Sequence, residues 1–179
     1  MSHPWSLVYM DCLQLEVPSD AKLVYMDPPY GPVGEDTYFG VGKDLPEYLT
    51  YMAERIAHVT SGLKDFNFVL QVNWRASHYL KVEVDKILGR GNFRNEIVWG
   101  FSSPSVAKRH IPRKHDVLLW WGVGDYMFNP LRVPHKSGFS VARKTSWPGD
   151  DHDPLTYTDR GKLIEDWRTD IPSLCRNEE

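Results

Sequence analysis

The sequence predicts an α/β fold, with a mainly parallel sheet and helices on both of its faces, from three observations. Short runs rich in β-branched and aromatic residues alternate with stretches whose apolar residues recur every three or four positions, the pattern of strand, helix and strand again. One of the runs, Lys22 to Met26, stops abruptly at Asp27-Pro28-Pro29-Tyr30, as a buried strand does when its carboxyl end opens into a rigid turn. The chain has 179 residues, 41% of them apolar, which is enough for one domain with a substantial core.

Taken in order, the first strand expected is Ser6-Leu7-Val8-Tyr9-Met10, followed directly by Asp11-Cys12-Leu13. Residues 15–20 then cross to the strand that ends at Met26, with little helical pattern. Beyond Tyr30, a loop rich in glycine and acids runs from Gly31 to Asp44; an irregular segment of that length beside a strand end reads as a lid or substrate-binding loop. Its Phe39-Gly40-Val41-Gly42 follows no strand, so it does not read as a phosphate-binding glycine loop. Between Leu45 and Leu63, the residues Leu49, Met52, Ala53, Ile56, Val59 and Leu63 form one face of an amphipathic helix, with Pro46 in its first turn and Gly62 at its close. Phe66 to Val72 is the next buried strand. It ends at Asn73-Trp74-Arg75, where Asn73 and Trp74 either line the pocket beside the proline turn or serve packing and capping. Leu80, Val84, Ile87 and Leu88 mark a second helix stopped by Gly89, and Phe93 to Trp99 is a further strand. Tyr126-Met127-Phe128-Asn129-Pro130 reads as a short strand, after which residues 132–160 are polar with no period.

Charge is distributed unevenly. The formal net charge is only −3, yet between Arg90 and Lys144 there are ten Lys and Arg against three acids. The run Lys108-Arg109-His110-Ile111-Pro112-Arg113-Lys114-His115 is suited to neutralising phosphates, which would make binding sensitive to salt; without a partner it would be a solvated loop. Cys12 and Cys175 are far apart and have no CxxC partner, and the histidines lack a metal spacing, so reduced thiols and no metal are expected. No apolar stretch approaches a membrane span, and no basic-then-apolar leader opens the chain, so a cytoplasmic protein with no membrane partner is the default.

The proline turn is where the chemistry concentrates. Two consecutive prolines fix φ near −65° and offer no N–H, so their carbonyls stand as rigid acceptors. With the Asp27 carboxylate, the Pro28 carbonyl suits an exocyclic amine, whose two protons both need acceptors. The Tyr30 ring offers a flat face for a planar base, a stack contributing about 1–3 kcal/mol. In open α/β sheets the ligand crevice lies outside the carboxyl ends of the strands.

Asp27-Pro28-Pro29-Tyr30 resembles the catalytic motif of amino-methylating DNA methyltransferases, which transfer a methyl group from S-adenosylmethionine to adenine N6 or cytosine N4. Phe93-Arg94-Asn95-Glu96-Ile97-Val98-Trp99 and Arg113-Lys114-His115-Asp116-Val117-Leu118-Leu119-Trp120 look like segments of the permuted class of these enzymes, to which the modification subunits of type III restriction systems belong. The similarity runs from about Leu7 to Ile171 and is thin from Ser137 to Lys162.

The resemblance implies a Rossmann-like S-adenosylmethionine-dependent methyltransferase fold, incomplete at its C-terminus. Asp27, Pro28, Pro29 and Tyr30 would be catalytic, and Asp11, Cys12 and Asp27 would bind the cofactor. As the alternative, nearly as well supported by the sequence, Asp11 caps the next turn. Lys108, Arg109, Arg113, Lys114 and His115 would bind double-stranded DNA with its target base flipped out. An initial Asp favours adenine N6 over cytosine N4. Residues 1–125 would be the catalytic half, 126–170 the target-recognition region, and 171–179 a linker to a cofactor-binding half, since no Asp-Pro-Phe-x-Gly-x-Gly segment lies before Glu179. The chain is then expected to be inactive alone, with a homodimer or a complementing chain among its possible partners. Alternatives are a DNA-binding module without catalysis, or an N-methyltransferase acting on RNA or protein.

Overall fold

Alternation along Phe66-Asn67-Phe68-Val69-Leu70-Gln71-Val72 decides where the core lies, because successive strand residues point to opposite sides of a sheet. In a computed structural model, which describes residues 5–30, 44–101, 108–133, 162–164 and 166–168, Phe66, Phe68, Leu70 and Val72 are buried. They share one cluster with Tyr48, Met52 and Ile56, with Leu80 and Val84, and with Val117, Leu119 and Trp121. The strands are β1 (Leu23–Met26), β2 (Phe66–Asn73), β3 (Phe93–Gly100), β4 (His115–Val123), β5 (Arg132–Val133), β6 (Lys162–Leu163) and β7 (Trp167–Arg168); the helices are α1 (Leu45–Thr60) and α2 (Ser77–Leu88).

The main sheet has the order β1-β2-β4-β3-β7. β1 is parallel to β2 and β7 is parallel to β3, while β4 is antiparallel to both β2 and β3. Four strands therefore run one way, and β4 is inserted against them. The cause is the link from β3 to β4: a parallel return needs a crossover, usually a helix, whereas here Phe101 N–H simply continues the pairing to the Lys114 carbonyl at 3.0 Å. The chain divides into two compact units, Met1–Met127 with Asp166–Glu179, and Phe128–Glu165. In the second, β5 pairs antiparallel with β6.

Two expectations are corrected. Residues 6–10 form no strand; Leu7, Val8, Tyr9 and Met10 are exposed, because strand-forming residues make a strand only where a partner edge accepts them. Residues 126–130 likewise form none. Among the described residues, both helices belong to the one core cluster. The loop from Gly31 lies outside the described residues up to position 43, as do residues 134–161 and 169–179.

Local chemistry sets the element ends. Asp44 caps α1 by accepting the Glu47 N–H at 2.9 Å, with Pro46 in the first turn, as side-chain oxygens do for orphan helix donors. α2 ends at Gly89, whose φ is 85°. Trp121 is fully buried yet keeps its polar atom paired: Nε1 donates to Asp85 Oδ1 at 3.1 Å, while Lys81 Nζ meets Asp85 Oδ2 at 2.6 Å. One carboxylate on α2 thus fixes the helix against β4. Gly124, with φ at 61°, closes β4 where a Cβ would lie 2.4 Å from the Lys64 carbonyl oxygen.

Candidate active site

The direction of the strands brings distant residues to one end of the sheet. β1, β2 and β3 all finish there and β4 begins there, so Asp27 to Tyr30, Asn73 to Arg75, Phe101 and His115-Asp116 share that end. Asp27 is exposed, while Pro28, Pro29 and Tyr30 are half-buried.

Tyr30 is held at its hydroxyl. Gln71 Nε2 donates to Tyr30 Oη at 2.9 Å, and Tyr30 Oη donates to Asp116 Oδ2 at 3.4 Å. The Gln71 carbonyl oxygen accepts from the Tyr25 hydroxyl, so one buried amide ties β1 and β2 to the residue at the turn. Burial pushes the Tyr30 hydroxyl well above its usual pKa, opposed by the Gln71 bond. Burial also raises the Asp116 carboxyl, opposed by the Tyr30 bond and reinforced by the nearby Asp27 carboxylate.

The proline corner is pinned from below. Tyr48 of α1, fully buried, donates its hydroxyl to the Pro29 carbonyl at 3.0 Å. Of the two carbonyls expected as outward acceptors, Pro29's is therefore engaged with the core. This corrects the expectation that both carbonyls stand unpaired.

On the other side of the corner lies a pocket of about 440 Å³ lined by Tyr9, Met10, Asp11, Cys12, Met26, Pro28, Pro29, Tyr51, Met52 and Arg55. Asp27 and Tyr30 are not among its lining residues. Asp11 caps the short 3₁₀ turn Cys12–Gln14, Oδ1 accepting the Leu13 N–H at 3.0 Å, while Oδ2 meets Arg55 Nη2 at 2.7 Å. The Leu13 N–H and then Arg55 lower its carboxyl. Burial raises the Cys12 thiol above its usual range, which keeps it protonated and weakly nucleophilic.

The basic run flanks this end of the sheet. Lys108, Arg109, Arg113 and Lys114 are exposed, and His115, half-buried, opens β4. Arg113 stacks on Trp74, 3.8 Å from guanidinium carbon to ring centroid, with Arg75 at 5.2 Å. Asn73 caps the turn, its Oδ1 accepting the Arg75 N–H at 3.0 Å.

Gln71, Asp116, Tyr48, Tyr51 and Arg55 were not singled out as site residues by the sequence. A polar residue inside the apolar run of β2 was a signal for Gln71, and the spacing of Tyr48, Tyr51, Met52 and Arg55 placed them together on α1. Among the described residues no cluster of metal-ligating side chains occurs, and no helix is long and apolar enough to cross a membrane.

Comparison with known proteins gives three findings. A family model described as DNA methylase matches residues 21–167. Among curated proteins, the Type II methyltransferase M.KpnI of Klebsiella pneumoniae is 28% identical over 130 residues, covering 67% of this chain and 31% of that protein. The chain spans about a third of that relative's length. Among solved structures, the crystal structure of the M1.HpyAVI–SAM complex aligns with a TM-score of 0.36 at 17% identity, covering 69% of this chain and 52% of that one.

Proposed function

Because the chain belongs to the DNA methylase family, we propose that it carries the amine-acceptor site of an S-adenosylmethionine-dependent DNA methyltransferase of the restriction-modification type, acting on adenine N6. The observation that carries this reading is the corner itself. An exposed carboxylate at Asp27 stands beside a Pro-Pro turn that Tyr48 fixes and a Tyr30 ring that Gln71 and Asp116 fix.

The chemistry follows from positioning. A target base turned out of the duplex, at a cost of a few kcal/mol in stacking, would lie on Tyr30. Asp27 and the Pro28 carbonyl would accept the two amine protons, drawing the nitrogen toward a localised lone pair aimed along the line of attack. Holding the reacting atoms in that geometry supplies most of the rate in such a reaction, and the proton released on transfer has the Asp27 carboxylate as its nearest acceptor.

The pocket beside the corner fits the adenosine part of the cofactor. Asp11 would accept from the purine amine, and Met26, Met52, Pro28 and Pro29 form apolar walls. Its volume of about 440 Å³ lies within the usual range for ligand sites, roughly 300–1,000 Å³. When bound, the cofactor supplies a methyl group on a sulfonium sulfur. Lys108, Arg109, Arg113, Lys114 and His115 would face the DNA phosphates beside the extruded base, consistent with their place at the same end of the sheet. A cytoplasmic location, residues 1–125 as the catalytic part and residues 126–170 as the target-reading part belong to the same proposal.

A second reading, cytosine N4, uses the same acceptor pair. Mass spectrometry of nucleosides from duplex DNA and from RNA, each incubated with S-adenosylmethionine and the chain, alone or with a complementing chain, separates them. N6-methyladenine is the expected product; N4-methylcytosine alone would overturn the adenine assignment, and a methylated base only in RNA would overturn DNA as substrate.

A further inference from the structure

The Asp11 carboxylate poses a physical problem that Arg55 solves. Residues 5–9 ahead of it belong to no strand, so the sheet does not hold Asp11 in place. Among the described residues, α1 ties this segment to the rest of the unit. His58 Nε2 meets the Leu15 carbonyl at 3.0 Å, and Arg55 Nη2 meets Asp11 Oδ2 at 2.7 Å. Arg55 is itself locked. Its guanidinium carbon stacks 3.4 Å from the Tyr51 ring centroid, Nη1 donates to the Tyr51 carbonyl at 3.4 Å, and its side chain is only 12% exposed.

Most exposed ion pairs contribute little to stability, and withdrawing a guanidinium from water is itself costly. Direction is what this pair provides. A planar, stacked guanidinium presents its donors in a fixed fork, and that fork sets where the second oxygen of Asp11 points. Tyr51, Arg55 and Asp11 all line the pocket beside Pro28 and Pro29.

We infer that Arg55, braced by Tyr51, is a positioning residue that aims the Asp11 carboxylate at the exocyclic amine of an adenine nucleoside in this pocket. The inference rests on the reading of the pocket as the cofactor's adenosine site. Arg55 takes one lone-pair direction of Oδ2 and the Leu13 N–H takes one of Oδ1, so the carboxylate keeps acceptor capacity with its orientation settled before the ligand arrives. Pre-organisation of this kind raises affinity by removing an ordering cost at binding.

The test is calorimetry of the 179-residue chain with S-adenosylmethionine and with adenosine, across a series of acidic to neutral pH values, for the wild type, R55M and R55K. R55M is expected to weaken both ligands about tenfold, the equivalent of one charge-assisted hydrogen bond. Its affinity should also begin to fall at a higher pH than the wild type's, because Asp11 loses the cation that helps keep it ionised. R55K should restore the pH profile but only part of the affinity, since an ammonium neither forks nor stacks. A merely structural role would lower the melting temperature of R55M without moving the pH profile of whatever binding remains, and that result overturns the inference. So does an R55M chain that binds both ligands as the wild type does. Wild-type chain that binds neither ligand would instead remove the pocket assignment on which the inference stands.

Discussion

Tyr30 acts at the residue scale through what holds its far end. Its ring is useful to a nucleobase only if it stands still, and the hydroxyl bonds to Gln71 and Asp116 remove its freedom before any ligand arrives. Asp116 bears a cost for this position, because burial favours its protonated form. A carboxyl whose folded pKa is raised contributes its full stability below the usual value of 3.8, and that contribution is lost as pH rises through the raised value. Asp116→Asn keeps an acceptor for Tyr30 and removes the charge. The variant is therefore expected to melt at or above the wild-type temperature at neutral pH, with the difference shrinking as the pH falls toward 4. Thermal melts over that range check it, and an Asn variant equally destabilised at all pH values would contradict it. The types of Asp27, Pro28, Pro29 and Tyr30 were legible because they are adjacent in sequence and their chemistry is local. Gln71, Asp116 and Arg55 were not, because their roles depend on register and packing between segments 41 to 86 residues apart.

The elements carry the site by where they stop. α1, capped by Asp44, supplies Tyr48, Tyr51 and Arg55 from successive turns, so one helix reaches both the proline corner and the pocket. Loss of the cap loosens the turn nearest Tyr48. Asp44→Ala is expected to cost about 1 kcal/mol, a drop of roughly 2–4 °C in Tm for a chain of this size. A melt by circular dichroism reads it, and an unchanged Tm would show that the Asp44 bond contributes nothing. Periodicity and composition located α1, β2, α2 and β3 to within a few residues; α1, β2 and α2 each set one face against a single core. It failed at residues 6–10, where the composition suits a strand but no edge receives it. It also could not foresee that β4 runs against its neighbours, since direction is fixed by the link from Phe101 to Lys114 and not by the pattern of β4 itself.

At the scale of the whole molecule, a sheet in which β1, β2 and β3 run together gathers an acid, a rigid carbonyl, an aromatic ring and a basic run at one end, beside a pocket of about 440 Å³. The amphipathic periods and the proline stop carried that arrangement in the sequence; the hydrogen bonds that make it rigid emerged only in three dimensions. In the proposed function, phosphate contacts and base chemistry are separate, the first assigned to Lys108 to Lys114 and the second to Asp27. The most direct test of the central claim therefore measures both in one variant: methyl incorporation into duplex DNA and DNA affinity, for the wild type and Asp27→Ala, with a complementing chain supplied where turnover requires it. The expected result is loss of methyl transfer by about 100-fold or more, the scale seen when a charge-stabilising group is removed, with DNA affinity and its salt dependence little changed. Turnover retained by Asp27→Ala would contradict the account.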